Sequence, residues 1–237
     1  MTATPATNTN TILITGSSRG IGLALAKQYH AAGWNVIAAA RNPANSKELQ
    51  QLNVYKTVQL DVSDEASILR AAKELEGEAI DVLVNNAAIG APNTLQATTK
   101  TEFVDAFEVN VVGPFLVSRA FVPHLKAAVA VKGFATIAQI TSMLGSITLS
   151  TGDLLFPAYR TTKAALNMLN NVIAHELKSD NINAVVICPG SVATDLNGHT
   201  GILQPADSAA RIVKNIARAN AETTGHYFSH EGGEYPW

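Results

Sequence analysis

The stretch TGSSRGIG, Thr15 to Gly22, joins TILIT (11–15), which reads as a buried strand, to GIGLALAKQYHAAG (20–33), which reads as a helix ended by Gly33. Its glycines fall at 16, 20 and 22. Glycine takes positive φ at little cost and lets a ligand approach the backbone closely. A helix that starts on such a turn aims its unpaired N–H groups and the positive end of its dipole at whatever lies there, so the position suits an anion. The pyrophosphate of a dinucleotide is such an anion. A tight turn with no ligand is the alternative for the motif alone. Its place after the first strand of an alternating chain favours binding, through Gly16, Ser18, Arg19, Gly20, Ile21 and Gly22.

Outward from this turn, short apolar runs alternate with longer amphipathic ones. Strands are predicted at 35–40, 54–62, 79–87, 134–142, 182–190 and 225–229. Helices are predicted at 63–76, 101–128, 157–178 and 206–218, with kinks at Gly113-Pro114 and Pro123 in the second. Strands that are almost entirely apolar belong to a parallel sheet covered on both faces. The pattern predicts an α/β, doubly wound sheet of about seven strands in one domain spanning 1–237, with the first ten residues as a flexible arm.

The bulk composition agrees. The chain has 237 residues, 47% of them hydrophobic, and a net charge of −2 with the charges scattered. No basic block points to nucleic acid. The longest apolar runs fall short of the roughly 20 residues of a membrane span. The first ten residues, MTATPATNTN, resemble no targeting segment. The single cysteine, Cys188, ends an apolar run and reads as a buried, inert thiol. These features predict a soluble, cytoplasmic protein with no membrane or nucleic-acid partner. His226 and His230 lie four apart in a strand-like segment, where that spacing does not converge on a metal.

The second strand ends AAARNP. An acidic residue there would hold the 2′-hydroxyl of NAD. The position carries Arg41 instead, and Arg19 lies within the glycine turn. Guanidinium groups suit a 2′-phosphate, which predicts NADP(H) as the cofactor.

Further motifs follow in order: LDV (60–62), NNAAIG (85–90), EVNVVG (108–113), QITSMLGS (139–146), YRTTK (159–163) and CPGSVATD (188–195). With TGSSRGIG they span most of the chain, which resembles the short-chain dehydrogenase/reductase family, and within it carbonyl reductases of the sniffer and C-factor type. The resemblance implies a Rossmann-type fold and an NADP-dependent oxidoreductase acting on ketones or aldehydes. It implies that Asp61 and Val62 flank the adenine, that Asn86 and Ala87 approach its ribose, and that Pro189, Gly190, Val192 and Thr194 lie along the nicotinamide. Asn110, Ser142, Tyr159 and Lys163 match the four catalytic positions. Asn110 would hold a water linking Lys163 to solvent, and Lys163 would also bind the nicotinamide ribose. Two departures stand out. Ala88 replaces the family's usual glycine, and the Ser142-to-Tyr159 spacing is lengthened by LSTGDLLFP (149–157).

The chemistry of the four residues can be read independently. Carbonyl reduction needs a hydride on carbon, which the cofactor brings, and a proton on oxygen, which the protein must supply. Tyr159 and Lys163 are four apart in a helical stretch and so share one face. Lowering a tyrosine pKa from about 10 by two to three units takes roughly 3–4 kcal/mol, and a cation within about 4–6 Å supplies part of it. Ser142 lies just past the end of a strand, where ligands bind in open α/β sheets. Alone, each residue has an ordinary reading as a surface pair, a turn serine or an exposed asparagine. Together and in order they point to catalysis.

Substrate contacts are predicted from the apolar stretch that holds Met143, Leu144, Leu149, Leu154, Leu155 and Phe156, and from a lid-like stretch at 191–205 with Gly198 and Gly201 as hinges. HEGGEYPW (230–237) either lies in solvent or tucks Trp237 against the active-site rim or another subunit. The family resemblance implies a homodimer or homotetramer through the helices at 101–128 and 157–178. The rival reading is a regulator that binds NADP(H) without turnover.

Overall fold

A computed structural model describes residues 9–152 and 155–237. The strands are β1 (Thr11–Thr15), β2 (Asn35–Ala40), β3 (Lys56–Gln59), β4 (Val82–Asn85), β5 (Ala135–Ile140), β6 (Ile182–Ile187) and β7 (Tyr227–Phe228). The helices are α1 (Gly20–Ala31), α2 (Lys47–Gln51), α3 (Glu65–Glu74), α4 (Lys100–Phe107), α5 (Gly113–Lys132), α6 (Pro157–Glu176) and α7 (Pro205–Ile216). All seven strands run parallel in the order β3-β2-β1-β4-β5-β6-β7. The order reverses between β1 and β4, and ligands in such sheets bind beyond the carboxyl ends of the strands at that point.

Strand alternation builds two cores. Ile12, Ile14 and Ile187 face Leu25 of α1 and Ile212 and Ile216 of α7. Leu13, Leu83 and Ile137 face Val117, Phe121 and Leu125 of α5. Both faces of the sheet are therefore covered, as its all-apolar strands require.

The helix predicted at 101–128 runs over Lys100–Lys132 as one continuous helical stretch, with a π turn at Glu108–Val112 between α4 and α5 that the sequence did not signal. Pro114 falls in the first turn of α5, where a missing N–H costs little, and the helix also carries Pro123 inside it. By length and composition this stretch could cross a membrane. Here Val117, Phe121 and Leu125 are fully buried against the sheet, so it is a core helix. The third strand is also shorter than predicted. The chain before it forms α2, which has a single buried residue, Leu49, and an N-cap in the Ser46 hydroxyl, features too slight to give a periodic signal. Residues 1–8 of the predicted arm lie outside the described residues. Asn10 accepts a hydrogen bond from the Asn35 amide at 2.9 Å and another, through its side chain, from Lys132.

Gly113 has helical φ, so alanine would be favoured there by about 1 kcal/mol on propensity alone. A Cβ would sit 2.7 Å from the Val62 carbonyl oxygen and 3.0 Å from Val62 Cβ, and a backbone carbonyl cannot swing away. Overpacking of this kind costs about 1–3 kcal/mol. Gly113→Ala should lower the unfolding free energy in urea titration; a more stable variant would show that the loop around Val62 yields.

Candidate active site

The glycine turn is built as its sequence predicts. Gly16 and Gly20 have φ of +69° and +55°. A Cβ on Gly22 would lie 2.2 Å from the Gly16 carbonyl oxygen, so only glycine lets α1 start flush on the turn. No side chain caps the first turn of α1, which leaves its amides facing outward. Ser17, absent from the predicted set, pins the turn: its hydroxyl is 2.6 Å from the Ile14 carbonyl oxygen and 3.0 Å from that of Ala39. The Asn86 amide donates to the Thr15 carbonyl at 2.9 Å, and the Thr15 hydroxyl accepts from the backbone of Asn86 and Ala87. Asn86 and Ala87 thus tie the loop after β4 to the turn. Ser18 accepts from the Ser46 hydroxyl at 2.8 Å. An uncapped helix start behind a cradle that a Cβ would fill fits a dinucleotide pyrophosphate.

Around the turn, Arg41 is exposed just past β2. Arg19 is ion-paired with Asp195 at 3.1 Å, both side chains being more than half exposed. Asp61 Oδ1 accepts from the backbone and hydroxyl of Ser63, which closes a turn, and Val62 is buried against Gly113. Pro189 accepts from the Ser208 hydroxyl at 2.8 Å. Val192 bridges to Leu203, and Thr194 approaches Gly20 so closely that a Cβ there would lie 3.4 Å from Thr194 Cγ2. The segment 189–203 therefore straps across the turn from β6. Gly198 has φ +61° and open space around it. Gly201 is no open hinge, because a Cβ would lie 2.1 Å from the Val192 carbonyl carbon.

The four predicted catalytic residues converge beyond the ends of β4 and β5. Ser142 caps a 3-10 turn, Met143–Gly145, its hydroxyl accepting from the Leu144 amide at 3.2 Å. The Ser142 side chain also bonds the Tyr159 hydroxyl, which draws that pKa down, but burial is the larger effect and holds Tyr159 above the ordinary tyrosine value. Lys163 is 2% exposed, and its Nζ lies 5.4 Å from the centre of the Tyr159 ring. Nζ donates to the Ile140 carbonyl at 2.8 Å, and burial brings its pKa down to about 7. The lysine was expected to lower the tyrosine's pKa. In this structure burial acts on each group by itself, raising the Tyr159 pKa and lowering that of Lys163, and Tyr159 is held as the neutral phenol.

Asn110 sits in the π turn, fully buried. Its Oδ1 accepts from the Ile89 amide at 2.9 Å, and its Nδ2 donates to the Ile89 carbonyl at 2.8 Å and to Thr162 Oγ1 at 3.0 Å. The Thr162 hydroxyl in turn donates to the Tyr159 carbonyl at 2.8 Å. Asn110 is thus a brace between the loop after β4 and α6.

A cavity of about 150 Å³ opens beside Tyr159, lined by Ile89, Gly90, Asn93, Glu102 and Asp105 among others. None of Met143, Leu144, Leu149, Leu155 and Phe156 lines it. Met143 and Leu144 belong to the turn after Ser142. Phe156, at φ +66°, leads into α6 with its ring 6.3 Å from that of Tyr159. Leu154 lies outside the described residues. Glycines at 90 and 145 were missed because their role is contact rather than turning. A Cβ on Gly90 would lie 2.7 Å from the Tyr159 ring, and one on Gly145 would lie 2.8 Å from the Lys163 carbonyl carbon. Cys188, read as inert, is buried and accepts from the Met143 amide at 3.2 Å, burial raising its pKa.

The depressed pKa of Lys163 has a consequence for stability. Between about 7 and 10.5 the unfolded chain holds this proton and the folded chain does not, so stability rises with pH across that window. Lys163→Met abolishes this term. From pH 7 to 8.5 wild type should gain on the variant by up to about 1.4 kcal/mol per pH unit in chemical denaturation. Parallel curves would mean that the ammonium keeps its charge in the fold.

Residues 10–202 match the family described as short chain dehydrogenase. The chain is similar to the Sniffer carbonyl reductase of Drosophila melanogaster, with 29% identity, a TM-score of 0.89, and 97% of this chain and 100% of that one covered. It is similar to the NADPH-bound carbonyl reductase from chicken fatty liver, with 30% identity, a TM-score of 0.86, and 97% and 99% covered. It is also 32% identical over 159 residues to the C-signal protein of Myxococcus xanthus, covering 67% of this chain and 93% of that one. A glycine turn at the sheet's switch point, a Ser–Tyr–Lys cluster beyond its strands and this match along most of the sequence place the chain in the short-chain dehydrogenase/reductase family of oxidoreductases.

Proposed function

We propose that the protein reduces the carbonyl of a ketone or aldehyde with NADPH, and runs the reverse oxidation with NADP⁺. The observation that carries this reading is Tyr159, a neutral phenol with Ser142 at its hydroxyl and Lys163 5.4 Å from its ring, beyond the strand ends that also form the dinucleotide turn. Reduced nicotinamide, when bound, supplies the hydride for the carbonyl carbon. Tyr159 gives its proton to the carbonyl oxygen, and the alcohol forms. Ser142 donates a hydrogen bond to that oxygen as charge builds on it. Charged Lys163 stabilises the phenolate left behind, and a pKa of about 7 lets it exchange protons with solvent near neutrality.

The turn at Gly16–Gly22 would hold the pyrophosphate, and Arg41 the 2′-phosphate, with Arg19 joining once it leaves Asp195. The NADPH-bound chicken carbonyl reductase supports this choice of cofactor. Val104, Phe107, Phe115, Met168 and Val172 are exposed along α4, α5 and α6, which supports a homodimer or homotetramer formed through these helices. A lone buried thiol suits the reducing cytoplasm.

Following NADPH absorbance over a broad carbonyl panel tests the reading. Tyr159→Phe should cut turnover by about 10²–10⁴-fold while leaving NADPH binding nearly intact. Tight NADPH binding with no turnover of any carbonyl would instead make the protein a cofactor sensor. Arg41→Ala should weaken NADPH binding about tenfold, the scale of one charge-assisted hydrogen bond, and leave NADH unaffected. Equal wild-type efficiency with both cofactors would remove the preference for NADP(H).

A further inference from the structure

The turn that carries Ser142 is clamped at both ends by residues far away in the sequence. The Tyr227 hydroxyl, from β7, donates to the Ser142 carbonyl at 2.5 Å, and the tyrosine is 1% exposed. Beyond β7 the chain reverses: Phe228 pairs antiparallel with Glu234, and the Tyr235 amide donates to the Tyr227 carbonyl at 2.9 Å. The His226–Glu234 side-chain hydrogen bond, at 2.8 Å, closes the same hairpin. The returning arm brings Trp237 onto Tyr227, with ring centres 5.3 Å apart and planes 29° apart, and Tyr235 onto its edge at 5.5 Å. It then reaches the far end of the Ser142 turn. The Ser146 hydroxyl donates to the Pro236 carbonyl at 2.6 Å, and the Thr148 amide donates to the Trp237 backbone oxygen at 3.0 Å.

From below, the turn rests on α6, where Asn167 Nδ2 donates to the Gly145 carbonyl at 3.3 Å. Tyr227 does not line the cavity beside Tyr159, and its hydroxyl also bonds the Asn167 side chain. Its hydrogen bond fixes the peptide plane between Ser142 and Met143. That plane sets the direction of the Ser142 side chain, which has only χ1 left to choose. We propose that Tyr227 is a positioning residue for carbonyl reduction, aiming the Ser142 hydroxyl through the Ser142 carbonyl, while Pro236 and Trp237 hold the other end of the same turn. The proposal rests on the catalytic reading of Ser142 and Tyr159.

Tyr227→Phe keeps the ring and its stacking on Trp237 and removes only the hydroxyl, with its bonds to the Ser142 carbonyl and to Asn167. Its kcat for carbonyl reduction should fall about tenfold, the equivalent of one hydrogen bond of about 1.4 kcal/mol, with NADPH affinity unchanged. In a Ser142→Ala background the same substitution should change kcat little, because the group it aims is gone. An unchanged kcat in the single variant, or an equal loss in both backgrounds, would overturn the proposal. If Tyr227→Phe does not fold, Trp237→Ala, at a half-exposed position, carries the same comparison with a smaller loss. If wild type reduces no carbonyl on the panel, the catalytic reading fails. Amide hydrogen exchange over 142–148 then reads the clamp by itself: faster exchange in Tyr227→Phe sustains it, and unchanged exchange removes it.

Discussion

The amine of Lys163 is buried, and the rest of the site is arranged around that fact. Taking a lysine out of water costs several kcal/mol unless partners offset it. Its bond to the Ile140 carbonyl is one such partner. The site therefore holds a strained balance, in which burial discharges the lysine and keeps the neighbouring tyrosine protonated. A phenolate formed beside Lys163 would restore a pair of opposite charges in a place where such a pair attracts strongly. Burial disfavours each charge alone and strengthens their attraction when both are present. In the proposed reaction, proton transfer out of Tyr159 is thus coupled to the charge state of one lysine.

Close packing keeps that balance in place. Gly145 lets the Ser142 turn lie directly on the backbone of Lys163, and Gly90 lets the loop after β4 lie on the Tyr159 ring. Neither contact tolerates a methyl group. Asn110 adds a third side, holding Ile89 with both ends of its carboxamide and reaching Tyr159 through Thr162. The π turn places it, since a single-turn widening re-aims one residue without breaking the helix. Parallel strands gather these pieces because the carboxyl ends of β4, β5 and β6 all open on one side of the sheet.

What was legible in the sequence follows the range of the interactions. The strand and helix order could be read because apolar periodicity is local, and the Tyr159–Lys163 pair because four residues make one helical turn. The NADP(H) reading rested on single positions, Arg19 and Arg41, whose types carry the chemistry directly. Gly90 and Gly145 left no such mark. A glycine required by contact looks in sequence like any loop glycine, and its partner lies 69 or 18 residues away. Tyr227 was hidden for the same reason, its acceptor being 85 residues distant. The π turn at 108–112 was not legible, since a widened turn has no residue signature while Gly113-Pro114 and Pro123 are visible breakers.

Arg19, proposed above to join the 2′-phosphate site, is paired with Asp195 in this structure. Its partner Asp195 belongs to the strap over the glycine turn, and His199 binds the other oxygen of that carboxylate at 2.8 Å. Exposed pairs of this kind contribute little to stability. The strap does not need it: the Ala193 amide donates to the Leu203 carbonyl, the Leu203 amide donates to the Ser191 carbonyl, and Gly201 presses on Val192. A phosphate dianion near the turn offers a guanidinium more charge and a bidentate geometry. Arg19 can therefore change partners without refolding the strap, and Asp195 keeps His199 when it does. The weakness of the ion pair is what leaves the arginine available.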